Sequence, residues 1–246
     1  MKMNIKPAFR YQFGSYMRSS GVFFIIMAAV LLVFLVSATY SGDGSSYFGF
    51  TGYVFSTSIF MFVIGIVNIR SDVRLCLQYG VSRRSSFVSN LLVLLLVSVI
   101  LAVAGEVMTS IAKYSIAGNE RLIVGDLYQL IYMQENLKGG LSLGQHFQST
   151  LVNISLLICA CIGGMFFSLM FWRLNKFWTV IVAVSIPVLM NIIPVGLFRL
   201  GVDLEPLLNW IISSPYNFVL FFMLTTIAFV GINWLLLRRA DIKGIK

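Results

Sequence analysis

Residues 83–111 read RRSSFVSNLLVLLLVSVILAVAGEVMTSI: two arginines and two serines, then 25 residues with a single ionisable side chain, Glu106. A helix rising about 1.5 Å per residue over that length covers the ~30 Å hydrocarbon layer of a bilayer. The segment predicts a transmembrane helix whose mouth is marked by the arginine pair. The rest of the chain agrees. Of 246 residues 59% are apolar and 11% charged, where a soluble domain has about 25% charged residues, and the mean hydropathy is +0.91.

Working outward, further apolar runs fall at 21–40, 47–68, 149–171, 178–197 and 216–237, which with 87–111 predicts six transmembrane helices in an all-α integral membrane protein. The turn Ser41-Gly42-Asp43-Gly44-Ser45-Ser46 separates the first two. Residues 1–20 interleave Lys6, Arg10 and Arg18 with Phe9, Tyr11, Phe13 and Tyr16, a pattern predicting an interfacial helix on the membrane surface. Its length and aromatic content argue against a cleaved signal peptide. Residues 69–86 form an arginine-rich loop whose helical turn should stop near Gly80. Residues 112–147 make the longest loop, with a short helix expected over 127–133. Pro187 and Pro194 should kink the fifth span, and the apolar piece 207–212 is too short to cross, so a re-entrant excursion is expected there.

Orientation follows from the basic residues. With the N-terminus in the cytoplasm, four Lys and Arg precede the first span, four lie between the second and third, two between the fourth and fifth, and four in the tail, leaving four of the 18 outside. The positive-inside rule therefore predicts that both termini are cytoplasmic. The excess of 18 basic over 9 acidic residues is accounted for by topology, and its dispersal over helix mouths argues against a nucleic-acid groove.

The chain offers little chemistry. Gly139-Gly140 is not followed by the Lys-Ser or Lys-Thr of a phosphate loop, His146 is the single histidine, and no basic group inside a span stands ready to activate a serine. No catalytic or metal-binding residue and no bound cofactor are expected. Cys159 and Cys161 lie two apart in an apolar run and read as packing. The stripe Ser155, Cys159 and Gly163, with Ala160, Gly164 and Ser168 adjacent, should allow close approach of another helix. Glu106 stands out, since a charge within a span must reach water, find a partner or line a path; pairing with Arg199 and a place on a transport path both remain open.

The layout resembles the membrane permease subunits of bacterial type-two ABC exporters. The likeness spans the whole chain: the basic segment before the first span, the arginine-bracketed loop, the broken region between the fifth and sixth spans, and the ending Trp234-Leu235-Leu236-Leu237-Arg238-Arg239-Ala240. Most specific is Leu77-Gln78-Tyr79-Gly80-Val81-Ser82-Arg83-Arg84-Ser85-Ser86-Phe87, similar to the Gly-x-Ser-Arg turn and aromatic that open the family's third span. The resemblance implies a plasma-membrane protein, a second permease copy or partner, and a separate ATPase carrying ATP and Mg. It also implies a coupling segment from Asp72 to Gln78 with Arg70, Arg74, Leu75, Leu77, Tyr79, Gly80, Arg83 and Arg84 around it, and an interfacial segment touching the same ATPase. Small members exporting antimicrobial peptides or phenol-soluble modulins are similar in size. A substrate-capture membrane module and an ion-coupled carrier are the competing classes.

Overall fold

The computed structural model describes residues 5–40, 48–50, 52–115, 122–133, 140–174, 177–179, 181–182, 185 and 205–238. Along them run α1 (Ile5–Tyr40), β1 (Phe48–Phe50), α2 (Tyr53–Gln78), α3 (Arg83–Ser115), β2 (Leu122–Val124), α4 (Leu127–Tyr132), α5 (Leu143–Arg173), α6 (Glu205–Ser213) and α7 (Pro215–Arg238). Five of these helices, α1, α2, α3, α5 and α7, are long and apolar enough to cross a membrane. The architecture is that of a helical membrane protein. The predicted fifth span at 178–197 lies largely outside the described residues, as do Pro187, Pro194 and Arg199.

Cross-helix hydrogen bonds set the directions. The start of α1 meets the start of α3 and the end of α3 meets the start of α5, and α5 and α7 run in the same sense, since Gln148 bonds Tyr216 and Asn233 bonds Ile162. One end of the bundle therefore gathers the start of α1, the α2–α3 connection and the end of α7; this is the basic end. The far end holds the end of α3, the start of α5, α4 and the small sheet.

Three expectations are corrected here. The interfacial helix over 1–20 is not a separate element, because α1 continues unbroken from Ile5 to Tyr40. Gly14 and Gly21 lie inside it without a stop signal, and the stripe Ala8, Gln12, Tyr16 and Ser20 is buried at four-residue spacing, so this segment packs on the bundle. Lys6, Arg10 and Arg18 point away from that stripe and are exposed. The loop expected at 69–86 is almost wholly helical, shared between the last turns of α2 and the first turn of α3. The second span starts at Tyr53, not near residue 47, because Phe48–Phe50 pair in parallel with Leu122–Val124.

The reversal between α2 and α3 has a local cause. Gly80, at φ 74°, ends α2 with Gly80 N–H donating to Leu77 C=O at 3.0 Å and Val81 N–H to Cys76 C=O at 2.8 Å, the paired bonds of a left-handed helix cap. Ser82 opens α3 by accepting from Ser85 N–H at 3.2 Å. The Gly-x-Ser-Arg motif thus stops one helix and starts the next within four residues. The helix stop expected at Gly80 is present.

Close packing of α2 on α5 holds the middle. A side chain at Gly65 would strike the Cys161 carbonyl, and one at Gly164 would strike the Phe62 carbonyl, so the two backbones touch through reciprocal glycines. Ser168 Oγ adds a bond to Ile66 C=O at 2.6 Å. The contacting stripe is Cys161, Gly164 and Ser168, so Gly164 and Ser168 of the expected small-residue set meet α2, while among the described residues nothing approaches Gly163 within contact distance. On α1 and α7 the residues turned outward are large and apolar, among them Ile25, Val33, Leu224 and Ile227, as suits contact with lipid.

Candidate functional site

Polar groups concentrate at both ends of the bundle, in different surroundings. At the basic end Asp72 is 6% exposed. Its Oδ2 accepts from Tyr16 OH at 2.6 Å and from Asn90 Nδ2 at 3.2 Å, tying α2 to α1 and α3. Asn90 also donates to Tyr16 Oη at 3.0 Å, and Ser89 Oγ donates to Gln12 Oε1 at 2.6 Å. The Arg70 guanidinium donates through Nη2 at 2.8 Å and Nε at 3.2 Å to the Ser168 carbonyl, fixing α2 to α5. Asp72 is therefore a buried fastening between helices, and the half-buried Arg70 ties α2 to α5 through the Ser168 carbonyl.

Outside this knot lies the tip. Arg74, Gln78, Tyr79, Gly80 and Arg84 are exposed, Tyr79 to 78%. Leu75, Leu77 and Arg83 are half-buried, with Arg83 Nη1 reaching the Arg238 carbonyl at 3.5 Å across to α7. Of the ten residues singled out around this turn, the structure brings these five to the surface together.

At the far end Glu106 finds its partners within the described residues. Its Oε1 lies 2.6 Å from His146 Nδ1 and its Oε2 accepts from Ser149 Oγ at 2.8 Å. Ser149 Oγ also contacts Asp126 Oδ2, which accepts from Asn153 Nδ2 at 2.8 Å. Asp126 is in turn the N-cap of α4: its side chain takes the Gln129 backbone N–H, while Gln129 Oε1 takes the Asp126 N–H at 3.4 Å and the ammonium of Lys113. The ring of contacts joins α3, α4 and α5. The short helix expected over 127–133 is present, but Leu127, Tyr128 and Gln129 are buried, so it seals this end of the bundle. Burial pushes the Tyr128 phenol up, helped by nearby Tyr216, and likewise the Tyr132 phenol, helped by Tyr128. Tyr128 stays a neutral donor and gives its hydrogen to Gln148 Oε1 at 2.8 Å. Among the described residues no group of three His, Cys, Asp or Glu is placed to hold a metal.

No protein-family model, curated protein or solved structure matches this chain. Function must be argued from the two ends.

Glu106 stands out in the sequence, whereas Ser149, Asn153 and Asp126 do not, and His146 stands out only as the single histidine. Two signals point to them. His146, Ser149 and Asn153 follow at spacings of three and four, a polar stripe along one face of an otherwise apolar helix. Asp126 and Gln129 have the spacing of a capping box ahead of an apolar run. At the basic end Gln12 and Tyr16 show the same four-residue spacing, hidden by the exposed basic and aromatic residues between them.

Proposed function

We propose that this chain is the permease subunit of an ATP-driven exporter of the ABC type, docking a separate ATPase at the α2–α3 tip. The observation behind the reading is the contrast in that turn: an exposed surface of Arg74, Gln78, Tyr79 and Arg84 is mounted on a buried knot, Tyr16–Asp72–Asn90 with Arg70–Ser168, that spans four helices. A tip so anchored transmits a push into α1, α2, α3 and α5 together, because packed helices shift as bodies. ATP and Mg belong to the partner ATPase, and two permeases, identical or similar, enclose the path. The substrate class is hydrophobic or amphipathic, with antimicrobial and toxin peptides foremost.

Six crossings with both termini cytoplasmic, in a bacterial plasma membrane, complete the proposal. The parallel course of α5 and α7 supports the sixth crossing: α5 ends at the basic end and α6 begins after residue 204 toward the far end, so the connection has a bundle length to cover. The basic residues support the orientation.

Isolation from native membranes in mild detergent tests this reading. An ATPase should accompany the unaltered chain and be lost from an Arg74→Glu, Arg84→Glu double variant that elutes as the same folded species. Purification without an ATPase under gentle extraction would overturn it. A second reading, a substrate-capture module or ion-coupled carrier, is favoured by one observation, the linked ionisable residues Glu106, His146, Asp126 and Lys113 at the far end. It would take precedence in that case.

A further inference from the structure

We infer that the outward face of α1 binds an anionic phospholipid of the leaflet at the basic end, with the phosphate between Arg10 and Arg18 and the acyl chains along Val22, Ile25 and Ile26. The inference is independent of the exporter reading. The buried stripe Ala8, Gln12, Tyr16 and Ser20 turns α1 toward the bundle, and Lys6, Arg10 and Arg18 stand on the opposite side, exposed. Among the described residues no hydrogen bond or ion pair within the chain engages any of the three. Arg70 and Arg83 differ in this, since their guanidinium groups reach the Ser168 and Arg238 carbonyls. The face thus carries three positive charges that the chain itself leaves unmatched.

Water would solvate such a row on a soluble helix; its depth in the bundle argues for lipid. Gln12 accepts from Ser89 and Tyr16 accepts from Asn90, so α1 and α3 lie side by side at these residues and run in the same direction. Arg18, two residues beyond Tyr16, is therefore about level with Leu91 and Leu92, where the apolar run of α3 begins. Arg10 lies about 9 Å back toward the basic end, level with Arg84. The two arginines, ~12 Å apart along the axis, bracket the edge of the hydrocarbon, where the phosphates of a bilayer sit. Long side chains on a helix lean toward its N-terminus, which for α1 is the basic end, so Arg18 can carry its charge out of the apolar layer to that level.

Between them the helix surface is bare. Gly14 is four residues from each arginine, and a Cβ built there would meet nothing within 4 Å. Ser15 is exposed beside it. A phosphate can therefore approach the backbone closely with a guanidinium on either side, the group that pairs with phosphate oxygens two at a time. Past Arg18 the same face turns apolar, with Val22, Ile25 and Ile26 all exposed. Charge followed by hydrocarbon is the order of headgroup and acyl chain in a phospholipid. An acidic protein segment would match the arginines and leave the apolar continuation unused, so charge and the neighbouring lipid-facing surface together select a lipid.

Native mass spectrometry of the full chain in mild detergent, titrated separately with phosphatidylglycerol and phosphatidylcholine, tests this. The wild type should bind phosphatidylglycerol the more tightly. Each basic residue beside an anionic lipid surface is worth about fivefold in affinity, so an Arg10→Gln, Arg18→Gln double variant should bind phosphatidylglycerol about 25-fold more weakly and phosphatidylcholine as before. Gly14→Leu, which keeps every charge and covers the bare strip, should weaken phosphatidylglycerol as well. Arg74→Gln with Arg84→Gln, which removes the same charge at the tip, should leave its binding unchanged. Equal affinity of the wild type for the two lipids overturns the inference whether or not the variants fold. Equal losses in the two double variants also overturn it, as diffuse attraction to positive charge. So does displacement of the lipid by inorganic phosphate at equal concentration, or an ATPase lost from the Arg10, Arg18 variant while phosphatidylglycerol stays bound, which would give the face to a free anion or to a protein.

Discussion

The two polar ends of this bundle are built from similar groups and differ in their access to water. At the basic end one carboxylate, Asp72, is held by a phenol and an amide deep between three helices, with charged residues arranged outside it. At the far end two carboxyl groups are linked through a serine, and one of them opens through His146 toward the surface. A sealed network behaves as a rigid joint, since breaking any part leaves an unpaired buried group. A network with a wet side can exchange protons and partners. The difference is therefore one of access: the basic network is closed among helices, and the far network reaches water on its Glu106–His146 side.

The severest way to break the comparison is to separate the ends. Gly65→Val forces a side chain into the Cys161 carbonyl of α5, where the obstacle is backbone and cannot rotate aside. Overpacking of this kind costs about 3 kcal/mol. Thermal unfolding in detergent should show a large drop in Tm. The two ends should also lose protection together in hydrogen exchange, because α2 and α5 belong to both.

Next comes the test within each end. Asp72→Ala strands the buried Tyr16 hydroxyl, at a cost of about 2 kcal/mol for a donor left without an acceptor, while Asn90 keeps Tyr16 Oη as its acceptor. Glu106→Ala releases His146, one-third exposed, and Ser149, which keeps Asp126 as an acceptor, so the expected loss is about 1 kcal/mol. Equal destabilisation by the two substitutions, measured as shifts in Tm on the same preparation, would erase the proposed distinction between a sealed and a wet network.

How much of this was legible depended on whether a property was local. The span in 87–111 follows from composition alone, and Gly80 announced its turn because a left-handed cap favours a residue without a side chain. The burial of Gln12 and Tyr16 was obscured because a basic-aromatic segment satisfies two environments equally well, a membrane surface or a polar groove between helices. Only the presence of Asp72 and Asn90, 56 and 74 residues away from Tyr16, decides between them. Glu106 and His146 are likewise 40 residues apart. Sequence periodicity identifies which side chains share a helix face; it cannot say which other face they meet. The small-residue set of α5 shows the same limit, since several of its faces have small residues and the position of α2 selects Gly164 and Ser168.

The smallest expected effect sharpens the comparison most, because it lies within one turn of one helix. Arg70 and Arg74 have the same side chain and are four residues apart on α2, but the Arg70 guanidinium donates twice to the Ser168 carbonyl while Arg74 is exposed. Arg70→Gln removes a charge-assisted pair of bonds to a carbonyl and should lower stability by about 1 kcal/mol. Arg74→Gln should leave Tm at the wild-type value, since exposed substitutions rarely matter to folding. If the tip is a docking surface, ATPase association should respond in the opposite order: Arg74→Gln weakens it with a folded, stable chain, and the loss deepens at higher ionic strength as screening removes the remaining charge contacts. Association that tracks stability, with Arg70→Gln the worse of the two, would mean that the tip matters only through the integrity of the helices beneath it, and the division of labour between the ends would lose its basic half.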